Sequence, residues 1–198
     1  PDPDTKNLRP ISLYFHLPFC EERCTFCACS VVATKRHDLV APYLKSLIRE
    51  IDLVAEVLDP ARQVVQIHWG GGTPTYLSSA EIRELMGHIA RRFSIASDAE
   101  ISVEIDPRIT TDEQLMTLRE TGFNRASLGV QDFDPEVQEV AGRIQSFSET
   151  RHTLLICRTL GFESVNIDLV YGLPKQTPER FATTLSKSPH LASIFSAI

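Results

Sequence analysis

The sequence predicts an α/β fold in which parallel strands alternate with helices, as in a partial (β/α)6 barrel. Apolar runs of strand length alternate about five times with segments of helical periodicity, a pattern typical of a parallel sheet covered by helices. Residues of unusual chemistry lie near the C-terminal ends of successive strands. In a barrel those ends converge on one mouth, whereas an open doubly wound sheet would string them along an edge. The partial barrel is therefore preferred.

Five strands are predicted, at residues 11–17, 64–69, 100–105, 125–130 and 165–170. A first helix is predicted at residues 41–58, where leucine and isoleucine recur at helical spacing. Later helices begin at capping signals. These signals are Ser78 with Glu81, Thr110 with Glu113, Asp134-Pro135, Ser146 with Glu149 and Thr177-Pro178.

Composition limits the class of protein. The chain has 198 residues, of which 42% are hydrophobic, and this suits one globular domain preceded by a polar lead at residues 1–10. A net charge of −6 argues against nucleic-acid and membrane-surface binding. We identify no signal peptide and no transmembrane run, and the clustered thiols lead us to expect a cytoplasmic protein.

Four of the five cysteines lie within ten residues, directly after the first predicted strand. Cys20, Cys24 and Cys27 have the spacing C-x3-C-x2-C, which suits three corners of a cubane [4Fe–4S] cluster and leaves the fourth iron open for a ligand. Two alternatives stay open on spacing alone. One is a zinc site completed by Cys29 or His16, and the other is a disulfide.

Four long motifs occur in the same order as in a known family. They are YFHLPFC at residues 14–20, HWGGGTPT at 68–75, GVQDF at 129–133 and NIDLVYGLP at 166–174. Together they resemble the oxygen-independent coproporphyrinogen III oxidases, which are radical S-adenosylmethionine (AdoMet) enzymes. The resemblance extends from about residue 10 to about residue 185.

The alternative within this resemblance is the haem chaperone, which binds and transfers haem with a similar barrel and cluster. Three features are more similar to the oxidases. They are the additional Cys29, the pair His68-Trp69 before the glycines, and Asp132 after Gln131.

The resemblance implies that Cys20, Cys24 and Cys27 bind the cluster, that Cys29 does not, and that AdoMet binds the open iron. It further implies that Phe26 lies beside AdoMet, that Gly71, Gly72 and Thr73 hydrogen-bond its amino group, and that Glu104 binds its ribose. Without the family, the simpler alternative for Phe26 is a packing residue, and that for Glu104 is a capped or salt-bridged carboxylate.

A second AdoMet is implied at Gln131, Arg143 and Asp168, giving two per chain. The simpler alternative is an ion pair between Arg143 and Asp168 with Gln131 as a polar neighbour. Tyr14 matches a catalytic residue close to AdoMet and substrate. Cys157 is expected in the core, because it lies among leucines of a helix.

The implied reaction converts propionate side chains of coproporphyrinogen III to vinyl groups through a 5′-deoxyadenosyl radical. The product is protoporphyrinogen IX, a precursor of haem. The implied partners are a tetrapyrrole substrate and an electron donor such as flavodoxin or ferredoxin, and the protein is expected to be a monomer.

The family enzyme is longer, so the barrel domain at residues 11–198 is expected to be truncated before its C-terminal end. Residues 187–198 depart from the family pattern, and residues 192–196 are the candidate for a sixth strand.

Overall fold

The computed structural model describes residues 8–187 and 195–197. Its strands are β1 (Ile11–Leu17), β2 (Phe19–Cys20), β3 (Val32–Ala33), β4 (Gln63–Gly71), β5 (Ser94–Ile105), β6 (Arg125–Gln131), β7 (Ser164–Leu169) and β8 (Phe195–Ala197). Its α-helices are α1 (Val40–Val57), α2 (Ser79–Arg92), α3 (Asp112–Glu120), α4 (Pro135–Ala141), α5 (Phe147–Thr159) and α6 (Pro178–Lys187). Residues 1–7 of the predicted polar lead lie outside the described residues.

The order of strands in the main sheet confirms the barrel-type architecture. Six strands form one sheet in the order β1-β4-β5-β6-β7-β8, and every neighbouring pair is parallel. An open doubly wound sheet reverses its strand order at a switch point, and this sheet does not. The short strands β2 and β3 pair separately.

The sixth strand, β8, pairs with β7 in the register Ile167 to Phe195. Its described residues, Phe195–Ala197, overlap the end of the predicted range 192–196, of which residues 192–194 lie outside the described residues. Strand β5 begins at Ser94, immediately after α2, rather than at residue 100.

One predicted helix start is wrong by a single residue. The capping box of α3 uses Thr111 and Gln114, not Thr110 and Glu113. The hydroxyl of Thr110 instead donates to the carbonyl of Asp106 at 2.7 Å and contacts Thr75, so it is committed to the preceding loop. The capping boxes that begin α2 and α5 are confirmed.

The strands carry apolar side chains on one face and polar side chains on the other. The apolar face packs under the helices, and its centre includes Trp69, whose ring meets Phe123 edge-on with centroids 4.9 Å apart. The polar face lines a cavity of about 270 Å³. Its residues are Gln66, His68, Glu100, Ser102, Glu104, Arg125, Ser127, Asn166 and Asp168.

The same alternation determines which side chains lie at the C-terminal edge of the sheet. Because side chains alternate with a period of two, the last polar positions of β4 to β7 fall on one face, and the loops that follow meet above them.

Among residues 8–187 and 195–197, no helix combines the length and apolar character needed to span a bilayer.

Candidate functional site

A cavity of about 180 Å³ lies at the C-terminal edge of the sheet. It brings together the three predicted cluster ligands and every other predicted site residue except Tyr14. Those lining it are Cys20, Cys24, Phe26, Cys27, Gly71, Gly72, Thr73, Glu104, Gln131, Arg143 and Asp168. Cys29 lies on the same lining.

The cysteine loop is held at its base, where β2 pairs with β3, and at its middle, where Thr25 contacts α4. At its start, the amide of Val32 donates to Pro18 and the amide of Thr34 donates to Cys20, each at 2.8 Å. At its far side, Thr25 donates through its amide to Ala141 at 3.1 Å and through its hydroxyl to Val140 at 3.0 Å. The loop is therefore held between the β2–β3 pair and the C-terminal end of α4.

Two of the three thiols have polar neighbours that suit iron–sulfur ligation. The Sγ of Cys20 lies 3.4 Å from the hydroxyl of Thr73, and Arg143 donates to the Sγ of Cys24 at 3.8 Å. Burial raises the pKa of the Cys20 thiol and the Thr73 contact opposes this. Polar donors beside thiolate sulfurs are a usual feature of iron–sulfur sites.

The donor set fits a cubane cluster. Within the described part of the chain, no three His, Cys, Asp or Glu side chains converge on one ion position. A cubane does not need such convergence, because each cysteine binds a different iron. All five cysteines are free thiols, so the disulfide alternative is wrong.

Two glycines allow the end of β4 to pass close to His16 on β1 and to Pro18, just before the cysteine loop. Gly71 has a φ of +111°, and a Cβ there would collide with the ring of His16. A Cβ on Gly72 would lie 2.6 Å from the backbone of Pro18. The amide of Gly72 donates to Leu17 at 2.9 Å. Only glycine fits this approach, so the segment has a structural role in addition to any contact with a ligand.

Glu104 is paired, as the simpler alternative expected, but its partner is a histidine. Its Oε1 lies 3.2 Å from Nε2 of His68, and its Oε2 accepts the amide of Gly71 at 3.2 Å. The side chain keeps 43% of its surface exposed and lines the cavity. It can therefore accept further hydrogen bonds from a ligand.

Arg143 does not pair with Asp168, so the ion pair suggested by the simpler alternative is wrong. Arg143 is buried and donates to Asp106 at 3.0 Å and to the carbonyl of Gly129 at 2.7 Å. Asp168 instead accepts the hydroxyl of Ser127 at 2.8 and 2.7 Å. Burial raises the pKa of Asp168, and the charge of Glu104 raises it further against the opposing effect of Ser127.

Asp106 is a site residue that the sequence analysis missed. It directly follows β5, is buried, and accepts hydrogen bonds from Arg108 as well as Arg143. Burial raises its pKa, but the Arg108 hydrogen bonds and the charges of Arg143 and Arg108 outweigh burial, and the pKa lies below its ordinary value. The signal in the sequence is an acidic residue directly after the end of a strand.

Gln131 adopts a backbone conformation that is rare for its residue type. Its φ is +72°, and its carbonyl accepts the amide of Val170 at 3.0 Å. Left-handed geometry at a non-glycine residue is often found at functional sites. Here it turns the end of β6 so that Gln131 lies on the cavity lining.

Tyr14 lies outside the lining of the main cavity. Its ring stacks on His68 with centroids 5.7 Å apart, and its hydroxyl contacts Nδ1 of His16 at 3.3 Å. It is thus linked to the cavity through His68 and Glu104.

Cys157 is buried in the core as predicted, and burial raises its pKa to about 12.

Comparisons with known proteins identify relatives of the whole described barrel. The sequence profile of the Radical SAM superfamily matches residues 14–187. The oxygen-independent coproporphyrinogen III oxidase of Pseudomonas aeruginosa is 47% identical over 192 residues, which are 94% of this chain and 42% of that protein. The chain therefore spans less than half the length of this curated relative.

Solved structures agree with the barrel. The structure of coproporphyrinogen III oxidase from Escherichia coli, described as a radical SAM enzyme, matches with a TM-score of 0.92 and 47% identity. That match covers 96% of this chain and 44% of the other. A radical S-adenosylmethionine methyltransferase from Kitasatospora setae matches with a TM-score of 0.62 at 19% identity, covering 94% of this chain and 36% of the other, and supports the fold alone.

The buried Asp106 pair predicts acid-sensitive stability. Because the folded-state pKa of Asp106 is depressed, its contribution is present above the unfolded pKa, about 3.9, and is lost as pH falls through the folded value. Asp106→Asn should lower the free energy of unfolding by about 3 kcal/mol at neutral pH, because it leaves buried Arg143 without its counter-charge. Urea unfolding at several pH values should show this difference shrinking below about pH 4.

The exposed Asp98 offers a matched control for this measurement. Asp98→Asn should change the unfolding free energy little at any pH. A destabilisation by Asp106→Asn that stayed constant from neutral to acid pH would contradict the linkage.

Proposed function

Because the chain belongs to the radical SAM superfamily, we propose that it is the barrel portion of an oxygen-independent coproporphyrinogen III oxidase. The superfamily implies a [4Fe–4S] cluster and S-adenosylmethionine. The observation that carries the proposal is one cavity that gathers three cysteines of the expected spacing with eight further residues to which the resemblance assigns a role. The 47% identity to curated oxidases supports the choice of reaction.

Cys20, Cys24 and Cys27 hold the cluster in this proposal, and Cys29 remains a free thiol. When bound, the cluster and AdoMet supply one-electron chemistry that removes a hydrogen atom from a substrate carbon. Phe26 covers part of AdoMet. The segment Gly71, Gly72 and Thr73 faces the amino group of AdoMet from the close turn that its glycines permit.

Glu104 accepts the ribose hydroxyls in this proposal. The geometry supports this role, since each carboxylate oxygen has one protein donor and a carboxylate has about four acceptor positions in total. Tyr14 acts at the substrate side. Its exposed ring, which stacks on His68, makes it available to a molecule in the polar interior of the barrel.

Gln131, Arg143 and Asp168 form the second AdoMet site of the proposal, giving two AdoMet per chain. Two observations support it. Nε of Arg143 is buried and has no hydrogen-bond partner among the described residues. Asp168 faces the cavity, and its carboxylate oxygens accept only the Ser127 hydroxyl among the described hydrogen bonds.

The substrate proposed is coproporphyrinogen III. Each of two propionates would lose a hydrogen atom from its β-carbon to the deoxyadenosyl group, then carbon dioxide, then one electron to a one-electron acceptor, and become a vinyl group of protoporphyrinogen IX. A flavodoxin or ferredoxin is the proposed electron donor. We further propose a monomer that works in the reducing cytoplasm, which is compatible with five free thiols.

The haem chaperone remains the second candidate, on account of its similar barrel and cluster. Cys29, His68-Trp69 and Asp132 favour the oxidase. Asp132 has a clear physical task, because its buried carboxylate accepts hydrogen bonds from Thr184 and from Gln176, both at 2.5 Å. It thereby ties the end of β6 to the segment that follows β7.

Cluster assembly is the first test. Anaerobic reconstitution of this chain should give about four irons per chain and broad absorption near about 400 nm that bleaches in air. Cys20→Ala, Cys24→Ala or Cys27→Ala should abolish the absorption, because each removes the only thiolate for one iron. Cys29→Ala is the matched control and should retain it. Stoichiometric zinc without iron would contradict the proposal.

Catalysis is the second test, and it separates the oxidase from the chaperone. With dithionite, the reconstituted chain should release 5′-deoxyadenosine from AdoMet. A chimera in which this chain replaces the matching segment of the Pseudomonas aeruginosa oxidase should convert coproporphyrinogen III to vinyl product. The same chimera carrying Cys20→Ala should be inactive. Tight haem binding without any porphyrinogen conversion would favour the chaperone.

The second AdoMet site has its own test. Asp168→Asn should leave cluster absorption intact and lower the binding stoichiometry, measured by equilibrium dialysis, from two AdoMet per chain towards one. In the chimera it should also lower porphyrinogen conversion. The physical reason is that the variant removes the negative charge that would pair with an ammonium group. Asp98→Asn is the control. If Asp168→Asn weakens only the fold and its soluble fraction still binds two AdoMet, the residue is structural.

A further inference from the structure

His68 forms contacts that tie together two predicted site residues, although neither the motifs nor the proposed function gives it a role. It lies on β4, where the sheet register sets it opposite Tyr14 on β1 and Ser102 on β5. Its ring stacks on Tyr14, and its Nε2 lies 3.2 Å from Oε1 of Glu104.

We propose that His68 is a positioning residue that fixes the carboxylate of Glu104 for the ribose hydroxyls of AdoMet. The inference rests on the proposed function, since it needs Glu104 to contact AdoMet. His68 provides one of two hydrogen-bond donors to the Glu104 carboxylate, and these donors determine the direction of its free acceptor positions.

The geometry of the carboxylate carries the first step. An ionised carboxylate only accepts hydrogen bonds, so Nε2 of His68 must carry the hydrogen that Glu104 accepts. The amide of Gly71 holds the other oxygen at 3.2 Å. With both oxygens held, the carboxylate cannot rotate freely, and its remaining lone pairs keep a fixed direction towards the cavity. Without His68, a side chain with 43% of its surface exposed would lose this restraint.

The imidazole is itself held in place. Its Nδ1 lies 2.7 Å from the hydroxyl of Ser102, and that hydroxyl also contacts the carbonyl of Ile67 at 3.2 Å. The stacked ring of Tyr14 covers one face, with an interplanar angle of 18°. These contacts orient Nε2 towards Glu104.

Gly70 makes room for the pair. A Cβ at this position would lie 2.8 Å from the carboxyl carbon of Glu104 and 2.9 Å from Nε2 of His68. A glycine at position 70 is therefore required by the contact between the side chains of His68 and Glu104.

Other charged groups on the polar face have partners of their own. Arg125 pairs with Glu100 at 3.0 Å, and Asp168 accepts the hydroxyl of Ser127. His16 on β1 donates through Nε2 to the carbonyl of Ser30 at 2.8 Å, and its Nδ1 lies 3.3 Å from the hydroxyl of Tyr14. Among the described residues, His68 is therefore the side chain that donates a hydrogen bond to Glu104.

A double-mutant cycle tests the proposal on the reconstituted chain, with the dissociation constant of AdoMet as the readout. His68→Phe keeps an aromatic ring against Tyr14 and removes the donor, and we expect about tenfold weaker binding, as for loss of one hydrogen bond to a charged group. His68→Gln restores a donor near the Nε2 position and should recover most of the affinity. Glu104→Ala should weaken binding at least as much as His68→Phe.

The decisive comparison is the double variant. If His68 acts through Glu104, adding His68→Phe to Glu104→Ala should weaken binding no further. Additive losses, or unchanged affinity in His68→Phe alongside a loss in Glu104→Ala, would overturn the inference. His88→Gln is the matched control, because His88 pairs with Asp52 at 2.9 Å between α1 and α2, and it should leave the affinity unchanged.

A second readout does not depend on the cofactors. Long-range ¹H–¹⁵N spectra of the apo chain should show a His68 imidazole protonated at Nε2, with a signal that shifts in Glu104→Ala and not in Asp98→Asn. A His68 signal indifferent to Glu104→Ala would refute the contact itself. If the spectra show the contact but Glu104→Ala leaves AdoMet affinity unchanged, the ribose role of Glu104 fails and this inference with it. A chain that assembles no cluster would instead refute the proposed function.

Discussion

The buried pair of Arg143 and Asp106 joins the separate parts of the site. Asp106 follows β5, Arg143 follows α4, and the same guanidinium reaches the carbonyl of Gly129 in β6 and the sulfur of Cys24. Four chain segments therefore meet on one side chain. Charged groups taken out of water need partners close by, and Arg108 supplies a second cation to the carboxylate. The position of the cysteine loop relative to the sheet depends on this network.

Much of the fold could be predicted, because each local signal agreed with its neighbours. Strands β1, β6 and β7 lie within two residues of their predicted ends, since apolar runs and glycine or proline boundaries mark them clearly. Helix α3 shows where this fails. Two adjacent threonines each had an acidic or amide residue three positions later, and only tertiary contacts of Thr110 decided between them.

Most residues of the site could be predicted from the sequence, but the hydrogen-bond and ion-pair partners of these residues could not. Cys20, Cys24 and Cys27 followed from spacing, and the motif residues from resemblance. The partner of Arg143 could not be predicted, because it depends on which of two carboxylates, Asp106 or Asp168, the barrel brings within reach. Tyr14 was expected close to AdoMet and substrate from the resemblance, and its contact with the ring of His68 could not be predicted because it depends on the register of β1 against β4.

The double attachment of the cysteine loop bears on how metal and chain come together. In a zinc finger the metal supplies the free energy that orders the chain, so the apo form is unfolded. Here Thr25 is bound to α4 and the start of the loop is bound through β2 and β3, all by protein contacts alone. These contacts restrict the backbone of the loop within the protein itself, so the conformational entropy cost of ordering it falls largely on the folding of the barrel. Less of that free energy has to come from a metal group than in a zinc finger.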